Sequence, residues 1–254
     1  MNKKRLLTLM GGSKWTPEKL NPAIYFVADD VSGNDGDSIA SITDKNGNTF
    51  SQATESARPT LKKGANGING HNVLSFDGGD YLAAGNILSG VKGLVWTVHR
   101  LAATPSNYQT LFSAADESSI TRKVEIGGFY TAAKPKLYVA ENNSGIQDTI
   151  ITNVDQTTNS VFCVWISTGT EYKIRQNGSP STLSVEGGGN NGDWFGDVAN
   201  KDNTVIGALK GSYVAAYFNG SIAEIGVIDG VDISDSDITK LESYLAKRYN
   251  LEYL

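Results

Sequence analysis

Residues 219–249 read NGSIAEIGVIDGVDISDSDITKLESYLAKRY. The apolar run Ile222 to Ile228 predicts a buried strand, and Asp229-Gly230 supplies the turn that ends it. A helix over Asp235–Arg248 follows directly. Ser234 is a good N-cap, and Asp235 and Asp237 favour the positive end of the helix dipole. Ile238, Leu241, Tyr244, Leu245 and Arg248 recur at helical spacing, with Lys247 and Arg248 near the negative end. This is the single helix that the patterning predicts.

Upstream of it the chain reads as short strands and loops. Apolar or alternating runs lie at 24–28, 38–43, 72–76, 81–84, 94–101, 110–114, 123–126, 136–139, 149–152, 161–167, 172–176, 204–206 and 214–218. Between them stand Asn46-Gly47, Asp77-Gly78-Gly79, Asn177-Gly178 and Asn219-Gly220, residues that tolerate positive φ. Arg175-Gln176-Asn177-Gly178, flanked by two strand-like runs, predicts a hairpin. In the run at 94–101, both alternating faces carry large apolar residues, which fits a strand covered on both sides. So many short strands exceed one open sheet, and two packed sheets are expected.

Bulk composition narrows the function classes. The chain has 254 residues, 28 glycines, 6 prolines and a net charge of −5. No basic run follows the first five residues, so nucleic-acid binding by phosphate neutralisation is not expected. Cys163 is the one cysteine, which rules out an intrachain disulfide; in the apolar run 161–166 it reads as a small core residue, the alternative being a reactive thiol. No window approaches the ~20 apolar residues of a membrane helix. Lys3-Lys4-Arg5 before Leu6-Leu7-Thr8-Leu9-Met10 resembles the start of a signal peptide. The apolar run is too short, however, and no clean cleavage site follows. Residues 1–20 therefore read as an arm and residues 21–254 as one domain. Within the arm Lys4, Arg5, Leu6, Leu7, Leu9 and Trp15 look like anchors for docking on another subunit, because that much apolar surface behaves poorly in water.

Several segments together resemble the concanavalin A-like lectin/glucanase superfamily in its laminin G-like branch. They are Arg58-Pro59, the run Asn72 to Leu82 (NVLSFDGGDYL), Tyr172–Gly178, Phe218 to Glu224 and Leu241–Tyr249. The resemblance implies an all-β, two-sheet antiparallel jelly-roll sandwich with one C-terminal α-helix and an N-terminal arm. The opening Met1 to Gly12, followed by Thr16-Pro17, also resembles the openings of phage virion proteins that carry such a domain. That resemblance implies a non-enzymatic structural protein of a bacteriophage tail, fibre or capsid surface, made in the host cytoplasm without a signal peptide. The arm would grip other virion proteins, the protein would be a homo-oligomer in the particle, and its lectin-like domain would adhere to glycans. The alternatives are a free or cell-surface carbohydrate-binding protein and, further off, a glycoside hydrolase.

Glycanases of this superfamily carry Glu-x-Asp-x-x-Glu on a strand, and the chain lacks it. Glu125 and Glu224 each stand alone in a strand pattern, and Glu224 reads as a structural hydrogen-bond or ion-pair residue. With only His71 and His99, no Ser/His/Asp arrangement or histidine metal cluster is expected. For glycan binding, the glycine-rich stretch 187–197 carries Trp194 and Phe195 beside Asn191 and Asp193. A sugar ring can stack on an exposed indole while the polar side chains hold its hydroxyls. Equally, the two rings can turn inward and pin the loop. Tyr130 and Tyr108 are weaker stacking candidates. The one cofactor that the residues suggest is Ca²⁺, held by Asp30, Asn34, Asp35 and Asp37; the other reading of that stretch is an Asx-rich turn.

Overall fold

The computed structural model describes residues 15–127, 136–140, 148–153 and 158–254. In chain order the strands are β1 (Ile24–Val27), β2 (Ser41–Thr43), β3 (Thr49–Ser51), β4 (Thr60–Lys62), β5 (Val73–Asp77), β6 (Leu82–Gly85), β7 (Gly93–Leu101), β8 (Phe112–Ala115), β9 (Lys123–Ile126), β10 (Lys136–Ala140), β11 (Asp148–Thr152), β12 (Val161–Ser167), β13 (Tyr172–Gln176), β14 (Ser179–Pro180), β15 (Leu183–Gly187), β16 (Asn203–Ile206), β17 (Leu209–Lys210), β18 (Val214–Ala215) and β19 (Asn219–Asp229). The helix α1 spans Asp235–Tyr249.

Two antiparallel sheets form the body. The first has eight strands in the order β14-β13-β12-β7-β19-β5-β4, with β1 added on β19. The second has nine, in the order β15-β11-β10-β9-β8-β16-β6-β3-β2. The expected two-sheet sandwich with one C-terminal helix is what the chain forms. The Asn177-Gly178 turn joins β13 to β14 with both residues at positive φ (49° and 88°), as a two-residue hairpin turn requires.

The core is layered. Phe26, Val95, Trp165, Ile225 and Val227 of the first sheet meet Phe50, Leu82, Phe112, Val124, Ile126 and Ile206 of the second. On the opposite face of the first sheet, Tyr25, Leu94, Trp96, Val98 and Val164 pack under α1, which contributes Ile238, Leu241, Leu245 and Tyr249. Burial of each such aliphatic side chain contributes about 1.5–3 kcal/mol. This third layer is why β7 is apolar on both faces. The helix starts on Ser234, whose Oγ accepts a hydrogen bond from the Asp237 amide at 3.1 Å. It ends on Asn250 in the left-handed region.

A β-bulge in β19 sets the polar centre of the helix layer. Ile222 lies opposite His99 and Glu224 opposite Val98, so Ala223 is the extra residue. Consequently Ala223 packs on the helix side, and Glu224 also turns that way to meet Trp96 and Tyr249.

The short strands β3, β4, β14, β15 and β17 were not predicted. Each has five residues or fewer, too few for an alternating pattern to stand out from the flanking loops. At the other end of the chain, Trp15 through Leu20 fold onto the body. The Trp15 and Tyr244 rings lie 6.1 Å apart, and Leu20 packs on the helix-side core. Trp15, expected to anchor the arm on another subunit, is thus engaged by its own chain. Lys4, Arg5, Leu6, Leu7 and Leu9 lie outside the described residues, as does Tyr130.

Candidate functional site

The glycine-rich stretch 187–197 is a plug, not a display loop. Trp194 and Phe195 are both fully buried, so neither ring offers a face to a sugar, and the inward alternative is the one observed. Their centroids lie 4.8 Å apart, and Phe195 meets the Phe112 ring at 6.0 Å within the inter-sheet core. The glycines serve close packing. A side chain at Gly192 would meet the Thr170 amide at 2.3 Å, and one at Gly196 the Ser89 carbonyl at 2.3 Å. Buried Asp148 ties the segment down by accepting from the Gly189 amide (2.7 Å) and from Asn191 Nδ2 (3.2 Å). Asn191 therefore acts as a brace, and Asp193 is half-buried beside the plug.

The acidic stretch spends its carboxylates on separate hydrogen bonds and an ion pair. Asp37 accepts from the Asn34 amide at 2.7 Å. Asp35 accepts from the Lys63 amide and from Asn66 Nδ2, both at 2.7 Å. The Lys63 amide holds the Asp35 carboxyl below its ordinary range. Asp30 pairs with Lys45 at 3.5 Å. These groups point to different partners, and among the described residues no three His, Cys, Asp or Glu side chains converge as metal ligands.

Glu224 has the structural role expected of it. It is fully buried and accepts from Trp96 Nε1 and from the Tyr249 hydroxyl, each at 2.9 Å. Burial pushes its carboxyl above the usual carboxylate range, and those two hydrogen bonds oppose the shift without reversing it. Glu125 is buried too, accepting from the Thr110 hydroxyl and paired with Lys123 at 2.8 Å. His71 joins Asp29 (2.7 Å) to the Arg248 carbonyl (2.8 Å), clamping the 67–72 turn to the helix terminus.

A groove on the outer face of the nine-stranded sheet was not anticipated. It encloses about 460 Å³. Its floor is made of Thr49 and Ser51 of β3 with Ala83 and Gly85 of β6, small residues that let a ligand approach the sheet closely. One wall is Tyr81, whose ring lies 6.2 Å from that of Tyr217. Burial and the neighbouring Tyr81 push the Tyr217 hydroxyl upward, so it stays a neutral donor. The opposite wall comes from loops and from the β17–β18 hairpin. There Lys210 pairs with Glu117 at 2.6 Å, Asp202 accepts from the Glu117 amide at 3.0 Å, and Asn203 Nδ2 donates to the Lys210 carbonyl at 2.7 Å. Gln52 also lines the groove; its Oε1 accepts from the Thr54 amide, and its buried Nε2 has no partner. The lining therefore offers hydroxyls, carboxylates, an ammonium and an aromatic ring around a shallow floor. No sequence run reveals this set, because its members come from five separate segments and only Tyr81 falls in a stretch that the sequence singles out.

The fold and groove define an antiparallel β-sandwich with a polar cleft on its uncovered sheet. Solved structures of the same architecture are similar to it. Domain 4 of an extracellular GH43 arabinanase from Geobacillus stearothermophilus, in complex with arabinotriose, superposes with a TM-score of 0.58 at 13% identity, covering 87% of this chain and 98% of that one. The CBM40 module of the Ruminococcus gnavus IT-sialidase, bound to α2,3-sialyllactose, gives 0.52 at 16% identity over 61% of this chain and 83% of the module. A variant of the NanB sialidase from Streptococcus pneumoniae gives 0.51 at 15% identity, over 66% of this chain and 27% of the sialidase. At such identities the likeness is one of fold. No protein-family model matches the chain, and no curated protein sequence matches it.

Proposed function

We propose that this chain is a non-catalytic carbohydrate-binding domain that holds a glycan in the groove between Tyr81 and the Glu117–Lys210 wall. The observation that carries the proposal is the groove lining: an aromatic ring beside a floor of small and hydroxyl residues, rimmed by Asp202, Glu117 and Lys210. Sugar recognition requires that combination, an apolar face for the ring and polar groups for its hydroxyls. Two of the similar structures, the Ruminococcus module and the arabinanase domain, hold oligosaccharides, which supports the same reading. A non-catalytic role is supported by Glu125 and Glu224, both committed to buried hydrogen bonds. The virion setting has its support in the resemblance of Met1 to Gly12 with Thr16-Pro17; Trp15, the one described anchor of the arm, packs on its own chain.

The test is titration of the protein with arabinotriose and with sialyllactose, preceded by a glycan array. Tyr81→Ala is expected to weaken binding of whichever glycan is taken by about fivefold to tenfold, from a stacking contribution of roughly 1 kcal/mol. Asp202→Asn should weaken it with the melting temperature unchanged. Wild-type affinity in both variants would sink the assignment of the groove. Release of shorter sugars from a bound polysaccharide would sink the non-catalytic reading.

A further inference from the structure

The outer face of the eight-stranded sheet is only partly covered by α1. Val98 and Ala223 lie under the helix, and the strands run on past it. There Ser221 of β19 stands opposite Ser75 of β5 on one side and Arg100 of β7 on the other. Alternation puts all three on the face away from the inter-sheet core, since Leu74, Phe76, Leu101 and Ile222 belong to that core. They border a groove of about 470 Å³, to which Asp77 and Asn219 also contribute.

Arg100 is the exceptional group. It is half-buried, yet among the described residues its guanidinium has no hydrogen-bond or ion-pair partner. Every other arginine among the described residues is engaged. Arg58 donates to the Gln52 and Ala53 carbonyls, Arg122 pairs with Asp116, Arg175 with Glu242 and Arg248 with Asp29. A partly desolvated guanidinium with its planar donors free is a receptor for a carboxylate, which it can hold with two parallel hydrogen bonds. The rest of the groove selects among anions. Asp77 gives one carboxylate oxygen, Oδ1, to the Gly79 amide. Its negative charge disfavours a dianion such as a phosphate, while its other oxygen can accept from a hydroxyl. Ser75, Ser221 and Asn219 add further hydroxyl and amide groups. One carboxylate ringed by hydroxyls is the chemistry of an acidic sugar.

We propose that this groove is a second binding site, separate from the Tyr81 groove, which takes the carboxylate of an acidic sugar residue on Arg100 and its hydroxyls on Ser75, Ser221, Asn219 and Asp77. The probes are methyl glucuronide and methyl glucoside, which differ only in the carboxylate, titrated by calorimetry and by amide chemical shifts. The glucuronide should bind at least tenfold more tightly than the glucoside and shift the Ser75, Arg100 and Ser221 amides. Arg100→Gln should lose that preference, and Arg100→Lys should lose part of it because the planar donor pair is gone. Both variants should keep the wild-type melting temperature; if the Gln variant does not fold, the Lys variant decides. In Tyr81→Ala the glucuronide should still shift the Ser75, Arg100 and Ser221 amides, so failure of the first groove reads out separately from failure of this one. Equal affinity for the two probes, or glucuronide binding unchanged in both Arg100 variants, would overturn the proposal.

Discussion

Replacing Glu224 tests the account of the helix layer most directly. In Glu224→Ala, two buried donors lose their acceptor at once: Trp96 Nε1 and the Tyr249 hydroxyl, each 2.9 Å from the carboxylate. An orphaned buried donor costs about 1–3 kcal/mol, so the pair should cost about 2–6 kcal/mol. For a domain of this size that corresponds to a fall of roughly 2–4 °C in Tm per kcal/mol. Glu224→Gln separates shape from charge, because it keeps one acceptor for Trp96 and lets the Tyr249 hydroxyl turn to accept from the amide. Its effect should depend on pH. Burial raises the Glu224 carboxyl above its ordinary value of 4.5, so the folded state holds the proton more tightly than the unfolded chain does. That contribution is fully present below about pH 4.5 and is lost as pH rises through the folded value. The Gln variant lacks this loss, so its stability relative to wild type should improve from pH 4.5 towards neutrality. Urea denaturation followed by tryptophan fluorescence at several pH values measures both effects. A Glu224→Ala loss under about 1 kcal/mol would refute the reasoning, as would a Gln variant whose pH slope matches that of wild type.

Three further expectations follow from the same geometry. Trp194→Ala should cost about 3–5 kcal/mol by leaving a core cavity, and any glycan affinity lost should return under conditions that keep the variant folded; calorimetric unfolding beside binding distinguishes the two. Gly226→Ala should be strongly destabilising or insoluble, because its methyl would come within 1.9 Å of Trp96 Cζ2; chemical denaturation of any soluble product checks this. Asp80 is pushed up to about 6, chiefly by burial and then by the charge of Asp77 against the Asp77 amide hydrogen bond. Wild-type stability should therefore fall as pH rises from about 3.8 to about 6, and Asp80→Asn should flatten that window in a Tm-versus-pH series.

Local patterning was enough to predict the sandwich and its helix. The Ile222–Ile228 run, the Ser234 cap, the Asn177-Gly178 turn and the doubly apolar β7 are statements about neighbouring residues, which backbone preference and burial decide together. Glu224 was also legible as structural, since a single carboxylate in an apolar strand must find partners. The loop at 187–197 shows where such reading stops. Glycines beside two aromatics describe an open sugar-binding loop and a close-packed plug equally well. Only the approach of Thr170 and Ser89 to Gly192 and Gly196 decides between them.

The sites themselves belong to tertiary structure. Tyr81, Glu117, Asp202 and Lys210 share a groove because β6 pairs with β3 and β16, and because the β17–β18 hairpin folds over the same sheet face. Arg100 lies beside Ser221 and Ser75 through a register set more than a hundred residues along the chain, and among the described residues no group pairs with its guanidinium. The amino-acid sequence determined which segments are strands and which single segment is helix, since those choices rest on contacts a few residues apart. Which polar side chains meet, and which are left without a partner, was decided by strand order and by the bulge at Ala223, because distant residues become neighbours only when the sheets close.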